Sequence, residues 1–196
     1  MLLDDIKEHV IGIDEVGRGA LCGPVVSCSV LLSPKIIEND LVHEINDSKK
    51  ISEKKRNIIA NFIKKYSTYS IGIATNKEID EVNILQATNL SIIRSYDKFK
   101  GCDCLVKIDG IQTFELNNKS EFIKGGDSKS ISIAAASIIA KNWRDNIMLE
   151  YSKLHPVYGW DKNKGYGTKK HKEAIIKYGI TDIHRLSFLK NILCCR

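Results

Sequence analysis

GIDEVGRG, residues 12–19, closes an apolar run with two adjacent acids, Asp14 and Glu15, and then sets Arg18 between Gly17 and Gly19. A dinucleotide fingerprint is the first reading to test. It needs G-x-G-x-x-G, whereas the glycines here fall at 17, 19 and 23, one residue too wide. Two carboxylates would also repel a pyrophosphate. The acids need another explanation.

Outward from this stretch, HVIGID (9–14) and PVVSCSVLL (24–32) read as strands across a glycine-rich turn, an antiparallel pair. Residues 52–66 carry apolar side chains at 58, 59, 62, 63 and 66, a helical stripe with Ser52 at the N-cap position. STYSIGIAT (67–75) reads as a third strand, and 83–99 as a second helix beginning at Asn83. CLVKID (104–109) and EFIK (121–124) are further strands. Residues 128–151 form a long helix whose alanines allow close packing on a sheet. A glycine-containing polar stretch (157–168) leads into a basic helix near 169–178. Three early strands, then strands alternating with helices, predict an α/β fold: a mixed sheet covered on both faces.

In such sheets functional groups gather at strand ends. Asp14, Asp109 and Asp127 each stand at, or just after, the C-terminal end of a predicted strand. Alone, each is an ordinary turn residue or cap, and Asp127 can cap the helix that follows it. Together with Glu15 they make a set of converging carboxylates that a cation must neutralise. Oxygen ligands favour Mg²⁺ or Mn²⁺ over zinc. One geometric condition applies. Asp14 and Glu15 point to opposite faces of a regular strand, so both serve one site only if the strand ends there, as Gly17 and Gly19 permit. The dipole of the helix after Asp127 is expected to keep that carboxylate ionised.

At 196 residues the chain fits one domain, and 43% hydrophobic with 28% charged residues describes a globular protein. No apolar run reaches membrane-spanning length, and the N-terminus, MLLDDIKEHV, lacks the basic character of a signal peptide. The six cysteines form no C-x-x-C pair and have no histidine beside them, so reduced thiols in a cytoplasmic protein are expected rather than zinc. Positive charge is uneven. Residues 1–160 balance 21 Lys and Arg against 21 acids, so the excess of +6 lies in the last 36 residues, where 9 basic side chains face 3 acids. A solvated helix face or a polyanion-facing surface explains it equally well.

IGIDEVGRG, DSKKIS (47–52), EIDEVNILQAT (78–88), KIDG (107–110), GGDSKSISIAAASIIAKNWRD (125–145) and GYGTKKH (165–171) resemble, in order and spacing, the bacterial ribonuclease HII family over about residues 9–188. The resemblance implies a ribonuclease H-like fold with a five-stranded mixed sheet flanked by helices. Residues 1–155 would form the catalytic core, and 156–196 a basic helical C-terminal extension on the same domain. It also implies that Asp14, Glu15, Asp109 and Asp127 are the catalytic, metal-binding carboxylates. The implied reaction is hydrolysis 5′ of ribonucleotides in RNA–DNA hybrids, or of single ribonucleotides in duplex DNA. Two divalent ions, Mg²⁺ or Mn²⁺, about 3.5–4 Å apart would serve an in-line attack of water that leaves 3′-hydroxyl and 5′-phosphate ends.

The same resemblance gives Gly17, Arg18 and Gly19 contact with the 2′-hydroxyl and nearby phosphates, the group that separates RNA from DNA. Tyr166 would pack on the sugar at the RNA–DNA junction. Lys49, Lys50, Lys169, Lys170, Lys172 and Arg185 would contact phosphates. Val16, Ala20 and Cys22 depart from the family's usual residues, and Leu186 stands where arginine is frequent. No glutamine-and-aromatic sliding-clamp motif stands in NILCCR, so a monomer without that tether is expected. Two rivals stand beside this reading. Ribonuclease HIII has threonine at the Arg18 position and a preceding substrate-binding domain, for which a motif at residue 12 leaves no space. A nucleic-acid-binding module with a decayed site is the other, against which all four acids count.

Overall fold

The computed structural model describes residues 3–46, 48, 51–116 and 119–193. After a short helix α1 (Asp4–Lys7) come strands β1 (Ile11–Val16) and β2 (Val25–Leu32), helix α2 (Glu53–Lys65), strand β3 (Ser67–Ala74) and helix α3 (Asn76–Tyr96). Strands β4 (Val106–Asp109) and β5 (Ser120–Ile123) precede the long helix α4 (Ile131–Leu154). Helices α5 (Trp160–Asn163), α6 (Lys169–Tyr178) and α7 (Leu186–Leu193) complete the described chain. The sheet order is β3-β2-β1-β4-β5, with β1 antiparallel to β2, β2 antiparallel to β3, and β1, β4 and β5 parallel. The mixed five-stranded sheet is the one expected.

Strand alternation assigns the two faces. Cys28, Val30 and Leu32 of β2 join the core formed with α2 and α4. Ser27 and Ser29 turn the other way, and their hydroxyls meet those of Ser91 and Ser95 on α3 at 2.6 and 2.8 Å. Small residues bring the helices close. A β-carbon on Gly12 would stand 2.0 Å from the Ser132 backbone of α4, and one on Gly72 would stand 1.9 Å from the Ser91 carbonyl oxygen of α3. The helices therefore sit directly on strand backbone, which explains glycine within two strands.

Local capping sets the helix limits. Ser52 accepts from the Lys55 amide as expected, and α2 starts after it. Helix α3 begins at Asn76, seven residues before the expected start, because Thr75 and Glu78 form a capping box. Asn83 lies inside the helix at φ 69° and caps the following turn, accepting from the Leu85 and Gln86 amides. The sequence signal at Asn83 was a real cap, but of a kink. Helix α4 is capped by Ser130 rather than by Asp127. Buried Asp5 occupies its N-terminus, accepting from Ser130 and from the Ser132 amide while pairing with Lys107 at 2.6 Å. The helix dipole thus acts on Asp5. Asp127 lies on a separate 3₁₀ turn, Gly126–Ser128.

Cys22 and Cys28 are free and buried, whereas Cys102 and Cys104 are joined by a disulfide. The expectation of reduced thiols fails at that pair, whose Cα atoms on one loop are 5.4 Å apart, within disulfide reach. No helix among the described residues is long and apolar enough to cross a membrane.

Candidate active site

Pairing between β1 and β4 stops at Ile13 and Ile108. Asp14, Glu15 and Asp109 follow at once, where the two parallel strands part. Strand β1 does not end at these acids. Glu15 pairs with Ser27 and Val16 with Val26, so β1 continues along β2 while its other edge is open. This corrects the expectation that the strand must end. Asp14 hydrogen-bonds toward Ser137 of α4, and Glu15 reaches a second cavity bounded by α3. The acids keep opposite strand faces, and Asp109 lies between them at the fork.

One cavity of about 500 Å³ is lined by Asp14, Glu15, Asp109, Ser48, Ser137, Lys141 and Tyr166. Burial first, then the charges of Glu15 and Asp109, hold the Asp14 carboxyl well above the usual carboxylate range, against a bond from Ser137 that lowers it. Burial also raises Glu15, and Asp109 adds to the effect. Arg18 opposes it from 3.4 Å. Crowded oxygen donors, of which Asp14 and Glu15 resist ionisation, fit a hard divalent cation, which removes the conflict. The donor set suits Mg²⁺ or Mn²⁺. Asp109 also accepts from the Gly126 amide at 2.6 Å, which fixes its carboxylate. Asp127, next to that glycine and half-buried, is not among the residues lining either cavity.

The glycine-arginine loop is held from below. Gly17 has φ +95°, and Arg144 fills the space where its β-carbon would be. The buried Arg144 guanidinium donates to the carbonyls of Pro24, Lys164 and Cys22, and it lies 5.5 Å from the Tyr166 ring. Ala20 bridges to Tyr166 and Cys22 to His184. Arg185 is 0% exposed and donates to the carbonyls of Arg18 and Gly23. That is a correction: an enclosed guanidinium turned onto carbonyls braces the loop and does not reach a phosphate. Burial, with Arg144 nearby, lowers its pKa to about 9.

Lys169, Lys170 and Lys172 are exposed on α6. Lys170 borders a different hollow, beside Val157 and Tyr158, away from the acids. Lys49 and Lys50 lie outside the described residues. Sequence reading passed over Lys141, Ser137 and Arg144, although all three lie on the long helix. A lysine, a serine and an arginine spaced to share one helix face toward the acids were the available signal.

Among the described residues, the trio of metal-type donors within 4.8 Å of one another is Cys22, His171 and His184, so histidines do meet a cysteine in space. Their nitrogens are otherwise engaged. His171 bonds the Tyr166 carbonyl through Nδ1 and accepts from the Trp160 indole through Nε2, both at 3.0 Å. His184 Nδ1 accepts from the Thr181 amide at 2.9 Å. The group reads as a packed support behind Tyr166.

A five-stranded mixed sheet with a carboxylate fork where β1 and β4 part defines a ribonuclease H-type, metal-dependent hydrolase. Solved structures share the fold. The ribonuclease HII in the PCNA:RNase HII complex from Archaeoglobus fulgidus superposes with TM-score 0.77 at 22% identity, covering 93% of this chain and 96% of that one. Bst-RNase HIII in complex with Mn²⁺ superposes with TM-score 0.71 at 19% identity, covering 95% and 69%. The ribonuclease HII family model matches residues 11–191, and the chain belongs to that family. A ribonuclease HII of Endomicrobium trichonymphae is 51% identical over 181 residues, covering 91% of this chain and 84% of that one. One of Clostridium beijerinckii is 48% identical over 188 residues, covering 94% and 69%. The activity of the family is that of an endonuclease on RNA paired with DNA, dependent on a divalent metal.

Proposed function

We propose that this chain hydrolyses the phosphodiester 5′ of ribonucleotides, both in RNA–DNA hybrids and at single ribonucleotides in duplex DNA, leaving 3′-hydroxyl and 5′-phosphate ends. Asp14, Glu15, Asp109 and Asp127 hold two divalent ions, Mg²⁺ or Mn²⁺. Bound there, the ions supply Lewis acidity and lower the pKa of water. The observation that carries this reading is the meeting of Asp14, Glu15 and Asp109 in one cavity at the parting of β1 and β4.

The chain's own residues divide the remaining work. The backbone of Gly17, Arg18 and Gly19 approaches the 2′-hydroxyl, and Tyr166 packs against the neighbouring sugar. Support comes from the shared brace of Arg144, which fixes loop and ring relative to each other. Lys141, beside the carboxylates and 5.9 Å from the Tyr166 ring, is ion-paired with Asp145 at 2.7 Å and would turn from it to meet the scissile strand. Lys49, Lys50, Lys169, Lys170 and Lys172 meet more distant phosphates. Residues 156–196 extend the core of residues 1–155 within one domain, which acts as a cytoplasmic monomer.

The test is incision of a DNA duplex bearing one ribonucleotide, beside a long hybrid, with Mg²⁺, Mn²⁺ or EDTA. Metal-dependent incision of both is expected. Incision that survives both Asp14→Asn and Asp109→Asn refutes the assigned site, and no incision under any metal refutes the activity.

A further inference from the structure

Beside the fork lies a second cavity of about 340 Å³, bounded by Glu15, Arg18 and Asp109 on one side and by Asn89, Ile92 and Phe122 on the other. Asn89 is unusual there. It is 6% exposed, and its Oδ1 accepts from the Thr113 hydroxyl at 2.9 Å. Its Nδ2 donates to no group among the described residues. The Nδ2 is not enclosed, so it keeps contact with the cavity space and is free to donate to a ligand there. Thr113, at the cavity rim, holds the Oδ1 end of the amide.

We infer that Asn89 is a substrate-contacting residue whose Nδ2 donates to the minor-groove edge of the nucleotide beside the scissile phosphate. The inference rests on the proposed function, in which Arg18 and its glycines read the 2′-hydroxyl. That hydroxyl lies along the minor groove, so the groove must face the wall that Arg18 and Asn89 share. The minor-groove edge presents the same acceptor kind for every base, O2 of a pyrimidine or N3 of a purine. A single inward donor therefore anchors the duplex without choosing a sequence. Ile92 and Phe122 supply the apolar wall for the sugar.

Steady-state incision of a duplex with one ribonucleotide in Mg²⁺ tests this. Asn89→Ala is expected to raise KM by about three- to tenfold with kcat within about twofold, the worth of one hydrogen bond. Asn89→Asp, which offers acceptors only, should lose more. Thr113→Val, at an exposed position, should reproduce part of the Asn89→Ala effect without unfolding the chain. In the wild type, a 3-deazapurine at one flanking position should cost the same factor as Asn89→Ala, with no further loss when the two are combined. Kinetics unchanged in Asn89→Ala and Thr113→Val, or losses that add at every deaza position, overturn the inference. A wild type that incises no substrate overturns the proposed function and this inference with it. A wild type that incises alongside an equally active Asn89→Ala overturns the inference alone.

Discussion

Arg144 lies directly beneath Gly17: its Nε is 2.1 Å from the point where a β-carbon on that glycine would stand. The φ of +95° at Gly17 adds backbone strain to any substitution. Gly17→Ala must therefore displace either the loop or its support. We expect incision to fall at least about 100-fold, the order that follows a shift of about 1 Å in a substrate-positioning group. Gly19 offers the contrast, because nothing lies within 4 Å of its β-carbon position. Gly19→Ala should leave the melting temperature unchanged, so any loss of incision reports the approach of substrate itself. Incision kinetics and thermal melts of both variants separate the two effects.

The crowded acids predict the response to metal. Their repulsion opposes folding when no cation is bound, so Mg²⁺ or Mn²⁺ should raise the melting temperature of the wild type in a saturable way. Asp14→Asn should melt about 2–4 °C higher than the wild type in EDTA and gain little from metal. The sign of the pH effect follows. A carboxyl raised above its unfolded value costs stability as pH rises through the interval between the two, so the contribution of Asp14 to metal-free stability, read as the difference between wild type and Asp14→Asn, should fall as pH rises from about 4. Calorimetry with and without EDTA checks both statements.

His184 gives the opposite slope. Burial, then His171, lowers its pKa to about 4, below the ordinary 6.5 of an unfolded histidine. The unfolded chain binds its proton first, so stability falls as pH drops from about 6.5 to about 4 and then levels off for this group. The full effect is on the order of 3 kcal/mol. His184→Gln should flatten this slope while lowering stability at pH 7. Urea unfolding at stepped pH measures it.

Asp5 holds the N-terminus of α4 and the Lys107 ammonium together from a nearly buried position. Asp5→Ala leaves a partly buried lysine and the Ser130 cap without their partner. A loss of about 3 kcal/mol is expected, with incision by the folded fraction unchanged. Denaturant titration beside single-turnover incision distinguishes this from a direct catalytic role.

Much of the fold was legible because the strands and the long helix obey simple periods. The limits of α3 were not, since a capping box and a kink at Asn83 depend on side chains closing back on their own backbone. Asp14, Glu15 and Asp109 could be picked out from their places after apolar strands. The way they share a site could not: it needed pairing to cease on one edge of β1 while continuing on the other, which no single strand records. Arg185 was misread for a related reason. Its position in a basic tail suggested a surface charge, and only long-range packing shows it turned inward onto Arg18 and Gly23. Asn89 gave no signal at all within a helical stripe.

The brace on the glycine loop also dictates when that loop can exist. Arg185 lies 167 residues from Arg18 and 162 from Gly23 along the chain. Residues 17–24 leave the ribosome well before Arg185, one of the partners that shape them. A nascent chain can pair β1 with β2 by local contacts, but it has no formed loop until α7 begins to emerge. Such distant contacts form late in folding. A chain that stops before Arg185 is therefore left without the brace on its glycine loop, however complete its sheet.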